Sequence, residues 1–171
     1  MQAKHLIIAV LVSFYTATVF PQEALQNRKP WAAGRFYTDK PVELKTQLQQ
    51  LFSQSLQKKT ENTPLAIIVP HAGYVFSGGI AASAYNQIDP NRKFERIFII
   101  GSSHTMTFSG ASVYCTGNYE TPLGIVKVDL ELVKQLAKEN KLIKCYPEAH
   151  MEEHSIEVQL PFLQYHMKTD Y

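Results

Sequence analysis

Two short apolar runs, each followed within four residues by a histidine, constrain the fold of this 171-residue chain most strongly. The first apolar run covers residues 65–69 (LAIIV), and the second covers residues 96–100 (RIFII). Both are rich in β-branched side chains and too short for a buried helix. Strands that are apolar along their whole length are typical of parallel sheets with helices on both faces. We therefore predict an α/β fold with a partly parallel sheet flanked by helices, in which both runs are buried strands.

Helix and turn signals are found on both sides of these runs. Apolar residues at mainly three- and four-residue spacing predict an amphipathic helix that begins at Pro41. The other predicted elements are an Ala-rich helix over 80–87, a weaker strand over 111–115, a turn at 121–124, a helix over 130–140 that Asp129 caps, and a helical segment over 152–163 in which Pro161 marks a kink or an end. This alternation of strand and helix signals indicates one α/β domain.

The composition excludes two classes of protein. A hydrophobic share of 45% with a formal charge of +2 is too apolar and too weakly charged for a disordered chain. The 17 Lys and Arg residues nearly balance the 15 Asp and Glu residues, and the densest basic groups are isolated pairs such as Arg28-Lys29. Because phosphate backbones require clustered cations, we expect no nucleic-acid partner.

The first twenty residues have the composition of a secretory signal. A single lysine near the start precedes an uncharged stretch over residues 6–20. We expect residues 1–21 to act as a signal peptide, cleaved between Ala17 and Ala24, and residues 22–171 to form the domain. The mature protein would then be periplasmic or secreted, and it would be cytoplasmic if the signal is not used. An uncleaved anchor and a buried first element are the alternatives.

Two histidines follow the apolar runs and are candidate metal ligands. His71 comes after the first run and His104 after the second, and the carboxyl ends of parallel strands are where ligands bind in open α/β sheets. Neutral imidazole is a common ligand of Zn, Cu and Fe, so the pair predicts part of a metal site. The alternative is that each ring only hydrogen-bonds the backbone of its own loop.

His154 is the third candidate. Glu153 and Glu157 lie near it, and on a helix residues 154 and 157 would share one face. A carboxylate beside an imidazole fixes its tautomer and raises its basicity, which suits an acid–base residue or the outer shell of a metal. The alternative is a solvated acidic face that also includes Glu148 and Glu152.

Cys115 and Cys145 are the two cysteines of the chain. They could form a disulfide in an oxidising compartment, or each could remain a buried thiol. Two cysteines are too few for a disulfide scaffold or a zinc knuckle.

Several motifs, taken in their order along the chain, resemble one known family. They are Ala33-Gly34-Arg35-Phe36-Tyr37, Pro70-His71-Ala72-Gly73-Tyr74 followed by Ser77-Gly78, Ile97-Phe98-Ile99-Ile100-Gly101-Ser102-Ser103-His104, Thr121-Pro122-Leu123-Gly124, and Glu153-His154-Ser155-Ile156-Glu157 with Leu160-Pro161-Phe162. From about residue 30 onward the chain is similar to the Memo family, known in bacteria as AmmeMemoRadiSam system protein B. The resemblance implies a fold related to the catalytic subunit of class III extradiol ring-cleaving dioxygenases.

The same resemblance implies a metal site and a reaction. His71 and His104 would be two ligands of a non-haem Fe(II), with Cu or Zn as other candidate ions, and His154 would be the catalytic acid–base residue in the same pocket. Family members continue beyond residue 171 and supply the third ligand there. We therefore expect this chain to be the N-terminal part of a Memo-like domain, truncated at its C-terminus, with an incomplete site. A small diol would be the substrate.

The resemblance also implies protein partners. AMMECR-type and radical-SAM proteins would work in the same system. The competing hypothesis is a non-catalytic module that binds a peptide or protein in the pocket, with Trp31, Phe36, Tyr37 and Tyr74 supplying contact area.

Overall fold

The computed structural model describes residues 25–59, 61–62 and 64–167, which form a mixed α/β structure. The elements, in chain order, are α1 (Pro41–Ser53), α2 (Tyr74–Tyr85), β1 (Ala111–Val113), β2 (Tyr119–Thr121), β3 (Gly124–Val126), α3 (Leu130–Glu139), β4 (Ile143–Cys145), α4 (Glu148–Met151), a 3₁₀ helix (Glu157–Gln159) and α5 (Leu160–His166). The signal peptide predicted over residues 1–21 lies outside the described residues. None of the described helices is long and apolar enough to cross a membrane.

The main core lies between α1, α2 and α5. The helix predicted to begin at Pro41 is α1, and its Leu44 and Leu48 are fully buried, as its apolar face requires. Helix α1 packs against both α2 and α5. The buried residues of the main core are Ala32, Tyr37, Leu44, Leu48, Tyr74, Ala81, Ala82, Tyr85, Val158, Phe162, Leu163 and Met167.

Helix α2 begins at Tyr74, six residues before its predicted start, and ends at Tyr85. The prediction treated the two glycines at 78 and 79 as residues that precede the helix, but both lie inside it. A Cβ on Gly78 would lie 2.9 Å from a methyl carbon of Leu51, so the missing side chain lets α2 approach α1 closely. The opposite face of α2 is also apolar, and Val75 is 87% exposed there.

The two apolar runs are not buried strands, and this prediction is wrong. Residues 65–69 and 96–100 belong to neither of the two sheets formed by the described residues. Their side chains alternate, because Ile67, Val69 and Ile99 pack against the main core while Ile68 and Ile100 are 99% and 94% exposed. A strand needs a neighbouring strand for its backbone N–H and C=O groups, and apolar composition alone does not provide one.

Two small sheets lie beyond the second apolar run. Strands β1 and β4 are parallel, with Val113 opposite Cys145, so a parallel pair exists but differs from the pair that was predicted. Strands β2 and β3 form an antiparallel hairpin. Its turn is the one predicted at 121–124, so that turn is confirmed. Cys115 and Cys145 form a disulfide with a Cα–Cα distance of 5.9 Å, which decides between the two alternatives for the cysteines.

The predictions for the C-terminal third are mixed. Helix α3 is confirmed, and the Asp129 side chain accepts a hydrogen bond of 3.0 Å from the N–H of Leu132. The predicted helical segment over 152–163 is instead a loop over 152–156, the 3₁₀ helix and α5. Pro161 lies in the first turn of α5, where a missing N–H costs nothing, so it begins a helix instead of ending one.

A buried ion pair ties the segment before α1 to this C-terminal region. Arg28 Nη1 and Glu157 Oε2 are 2.6 Å apart, and both side chains are fully buried. Arg28 also donates to the carbonyl oxygens of His150 and Glu153, each at 2.6 Å. The Glu157 carboxylate further accepts bonds from the N–H of Trp31 and Ala32 and from the Tyr37 hydroxyl. The pair therefore positions the loop that carries His154.

His150 is a buried neutral histidine held by two hydroxyl groups. Its Nδ1 lies 2.9 Å from the Tyr119 hydroxyl, and its Nε2 lies 3.0 Å from Ser112 Oγ. Burial, with the nearby Arg28 cation as the next cause, lowers the pKa of His150 to about 4.

We expect His150 to make the protein less stable in mild acid. The unfolded state binds a proton below about pH 6.5, whereas the folded state resists protonation until about pH 4. The contribution of His150 to the free energy of unfolding is therefore fully present above pH 6.5. It is lost as the pH drops to 4, which lowers the free energy of unfolding by up to about 3 kcal/mol. Urea unfolding between pH 7.5 and 4 measures this loss. Burial also lowers the pKa values of His154 and His166, so these two residues contribute in the same direction.

The variant His150→Gln isolates the contribution of His150, because glutamine can still hydrogen-bond but does not titrate. Its stability should change less between pH 6.5 and 4 than that of the wild type. If the free energy of unfolding fell equally steeply with pH in the two proteins between pH 6.5 and 4, His150 would not be the cause of the loss.

Candidate metal centre

Three histidines from separate loops converge at one place on the surface. His71 follows the first apolar run, His104 follows the second, and His154 lies in the loop after α4. The ring centroids are 5.2 Å apart for His71 and His104, 5.7 Å for His71 and His154, and 4.6 Å for His104 and His154. One ligand atom from each ring lies within 4.8 Å of the others, so the three could hold a metal ion.

Small residues allow these loops to approach each other. A Cβ on Gly101 would collide with the Ser155 side chain and would lie 3.1 Å from Ile156. Ser155 Oγ donates a 2.8 Å hydrogen bond to the carbonyl oxygen of Ser102. The loop of His104 and the loop of His154 are therefore in direct contact because residue 101 lacks a side chain.

The buried carboxylate of Glu153 lies between His104 and His154. It accepts hydrogen bonds from His104 Nδ1 at 2.9 Å and from the backbone N–H groups of His104, His154 and Ser155. Partial burial favours the neutral acid, but the hydrogen bonds from His104 and Ser155 outweigh it and lower the pKa of Glu153 to about 2. The site therefore contains a fixed negative charge beside three imidazoles.

His154 packs against an aromatic ring. Phe36 stacks on it with a centroid distance of 4.4 Å, and the His154 side chain is only 16% exposed. Burial lowers the pKa of His154, with the nearby His104 and His71 rings acting in the same direction. The His154 ring is consequently neutral at neutral pH, which is the form that binds a metal or accepts a proton.

His71 and His154 open onto a cleft of about 790 Å³ with mainly apolar walls. Its lining residues are Phe36, Ile68, Val69, Pro70, His71, Ala72, Gly73, Phe76 and His154. The size is within the range of pockets that accept small organic ligands.

Two sequence-based interpretations near the site need correction. Glu157 does not share a face with His154, and it is not part of a solvated acidic surface, because it is buried against Arg28. Tyr37 and Tyr74 belong to the main core with 4% and 3% exposure, so they cannot supply contact area to a partner. Phe36 does reach the cleft.

Sequence reasoning did not identify the contact between Glu153 and His104. These residues are 49 positions apart, so no local periodicity reports their contact. The signal that could have found it is the adjacency of Glu153 to His154, because a carboxylate next to one candidate ligand is well placed to bond another. The helix predicted over this segment would instead have placed Glu157 beside His154.

Three imidazoles beside a buried carboxylate, on loops of a mixed α/β domain, define a candidate metal-binding protein. The family model described as Memo-like protein matches residues 28–171 of the chain. This chain therefore belongs to the Memo-like protein family, and the resemblance seen in its motifs is confirmed.

Similar proteins from other organisms support the same assignment. A MEMO1 family protein of Saccharolobus solfataricus is 43% identical over 149 residues, which cover 81% of this chain and 52% of the relative. One from Saccharolobus islandicus is 40% identical over 156 residues, with 85% and 54% covered. One from Desulfurococcus amylolyticus is 38% identical over 149 residues, with 82% and 53% covered. The chain spans about half the length of these relatives.

Proposed function

We propose that this chain carries a metal-binding pocket of the class III extradiol dioxygenase type, in which Fe(II) supports the oxidation of a small diol. The observation that carries the proposal is that ligand atoms of His71, His104 and His154 all lie within 4.8 Å of one another. Neutral imidazole suits Fe, Zn and Cu, so the residues present fit such an ion.

We assign metal binding to His71 and His104, and acid–base catalysis to His154. The bound ion would supply a Lewis acid for the diol and O2. The neutral ring of His154 can accept the proton that a diol hydroxyl releases, because burial lowers its pKa. Phe36 and Phe76 line the cleft and offer flat apolar surfaces for the ring of the diol.

Oxygen uptake with a panel of catechols tests this function. Extradiol cleavage inserts both atoms of one O2 into one diol and needs no added reductant. One molecule of O2 should therefore be consumed for each molecule of diol. After anaerobic loading with Fe(II), the wild type should consume O2. His154→Ala should lower the rate by about 10²- to 10⁴-fold, the usual contribution of a positioned acid–base group, while retaining its iron.

The control is His150→Gln, which alters a histidine outside the cleft and should leave both iron content and rate near those of the wild type. Failure of the wild type to take up oxygen with any catechol would argue against the reaction. Loss of iron from His154→Ala would instead make His154 a ligand and not an acid–base residue.

A second candidate function is a peptide-binding module that uses the same cleft. The observation that favours it is the exposure of apolar side chains at the rim, where Ile68 is 99% and Phe76 is 86% exposed. Such a module should bind apolar peptides equally well with and without a chelator, and Phe76→Ser should weaken that binding. A metal-dependent enzyme should lose its substrate binding when the metal is removed.

Export and two partner classes complete the proposal. The disulfide between Cys115 and Cys145 supports an oxidising compartment, in agreement with the secretory signal expected over residues 1–21. The partners that we propose, on the basis of the family resemblance, are AMMECR-type and radical-SAM proteins.

A further inference from the structure

The Glu153 carboxylate is surrounded by hydrogen-bond donors from both histidine loops. Its Oε1 lies 2.9 Å from His104 Nδ1 and 2.8 Å from the backbone nitrogens of His154 and Ser155. Its Oε2 accepts from the backbone N–H of His104. The residue is 5% exposed, so water does not compete for these contacts. One side chain thus bonds the ring of one site histidine and the backbone of two.

A carboxylate that only accepts hydrogen bonds determines where its neighbour carries a proton. The contact to His104 Nδ1 requires that this nitrogen be the donor, so a neutral His104 has its hydrogen on Nδ1 and its free lone pair on Nε2. His154 is different, because its Nδ1 is 3.5 Å from the same oxygen, which is too long for a good hydrogen bond. Glu153 therefore orients one ring and only anchors the backbone of the other.

We propose that Glu153 is the positioning residue of this metal site, which holds His104 in the Nδ1–H tautomer with Nε2 as its ligand atom and keeps the His104 and His154 loops together. The metal role rests on the proposed function, whereas the tautomer does not. A metal ligand whose second nitrogen bonds a carboxylate is oriented and made more basic. The carboxylate also places a negative charge close to where a cation would bind, which favours the cation.

The test has a spectroscopic part that needs no metal. In metal-free protein labelled with ¹⁵N-histidine, long-range ¹H–¹⁵N correlation spectra report which ring nitrogen carries the hydrogen. The signals of His104 are identified as those absent from His104→Ala. We expect the wild type to show the Nδ1–H tautomer. A wild-type His104 protonated on Nε2 would overturn the proposal, whatever any variant does.

The second part compares Glu153→Gln with a matched control. Glutamine has nearly the same shape, but its amide group can donate as well as accept, so it no longer requires His104 Nδ1 to be the donor. We expect a mixture of His104 tautomers and a 10- to 100-fold weaker affinity for Co²⁺, the probe ion. Ser155→Ala removes the side-chain bond to Ser102 between the same loops without touching a ring. It should keep the wild-type tautomer and an affinity within about 3-fold.

The outcomes separate this inference from the proposed function. A Glu153→Gln protein with the wild-type tautomer and unchanged Co²⁺ affinity would refute the positioning role. An equal loss of affinity in Ser155→Ala would show that loop contact, and not the carboxylate, is what matters, and it would also refute that role. A wild type with the expected tautomer and no Co²⁺ binding would refute the metal site while supporting the control of His104 by Glu153.

Discussion

Replacing Arg28 with methionine is expected to lower the free energy of unfolding by about 3–5 kcal/mol, which is the usual cost of breaking a buried ion pair. The change leaves the Glu157 carboxylate fully buried without its cation, although three other donors still contact it. It also removes the donors that the carbonyl oxygens of His150 and Glu153 require. Urea unfolding followed by circular dichroism measures the effect.

A double-mutant cycle tests whether the charge itself is responsible. Arg28→Met with Glu157→Gln should cost less than the sum of the two single changes, because no unpaired charge then remains in the interior. The matched control is Lys29→Ala. Lys29 is the residue next to Arg28, and this change breaks its ion pair with Glu120. Lys29 is 77% exposed, so this change should cost less than about 1 kcal/mol. Costs of similar size at positions 28 and 29 would contradict the importance of burial.

The second large effect is expected at the metal ligands. His71→Ala or His104→Ala should lower metal affinity at least about 10-fold, because changes in residues that merely support a ligand already cost 10- to 100-fold. Each substitution removes one of three imidazoles whose ligand atoms lie within 4.8 Å. Elemental analysis after loading with Fe(II), followed by a Co²⁺ titration, measures the loss.

His150→Gln again serves as the control, because its ring is held by Tyr119 and Ser112 away from the cleft. It should bind metal like the wild type. Unchanged metal content in both His71→Ala and His104→Ala would remove the basis of the assignment. Loss of metal in all three variants would point to general destabilisation.

Local signals were sufficient for the elements that depend on local interactions. The apolar spacing after Pro41 predicts α1, and the Asp129 side chain predicts the start of α3. The turn at 121–124 was predicted as well, but the two short strands on either side of it, β2 and β3, were not. Strand β4 was missed because three residues, Ile143–Cys145, are too few to show a period of two.

The apolar runs show where local reasoning stops. Apolar composition indicates that a segment can be buried, but burial on both faces depends on neighbours that are distant in sequence. In the described residues each run has one side against the main core and the other exposed, as Ile67 and Ile68 illustrate. Each run is nevertheless followed by one of the two histidines. That position was enough to predict that His71 and His104 lie close together.

The role of the acidic residues could not be predicted for a related reason. Helical spacing placed Glu157 beside His154, whereas the actual loop over 152–156 places Glu153 against His104. In the sequence Arg28 is one half of an isolated basic pair, and nothing near it indicates a partner 129 residues away. Long-range polar contacts of this kind carry no periodic signature.

The disulfide between Cys115 and Cys145 makes part of the molecule tolerant of a broken backbone. The two residues are 30 positions apart and enclose α3, none of whose residues is buried. In the chain-entropy description such a crosslink contributes roughly 3–4 kcal/mol. A protease that cuts this exposed helix would therefore produce two polypeptides still joined by one covalent bond, and the loops that carry His71, His104 and His154 would lie outside the cut segment. Under reducing conditions the same nick would leave the two pieces held by noncovalent contacts alone, so the integrity of this protein depends on its redox surroundings as well as on its sequence.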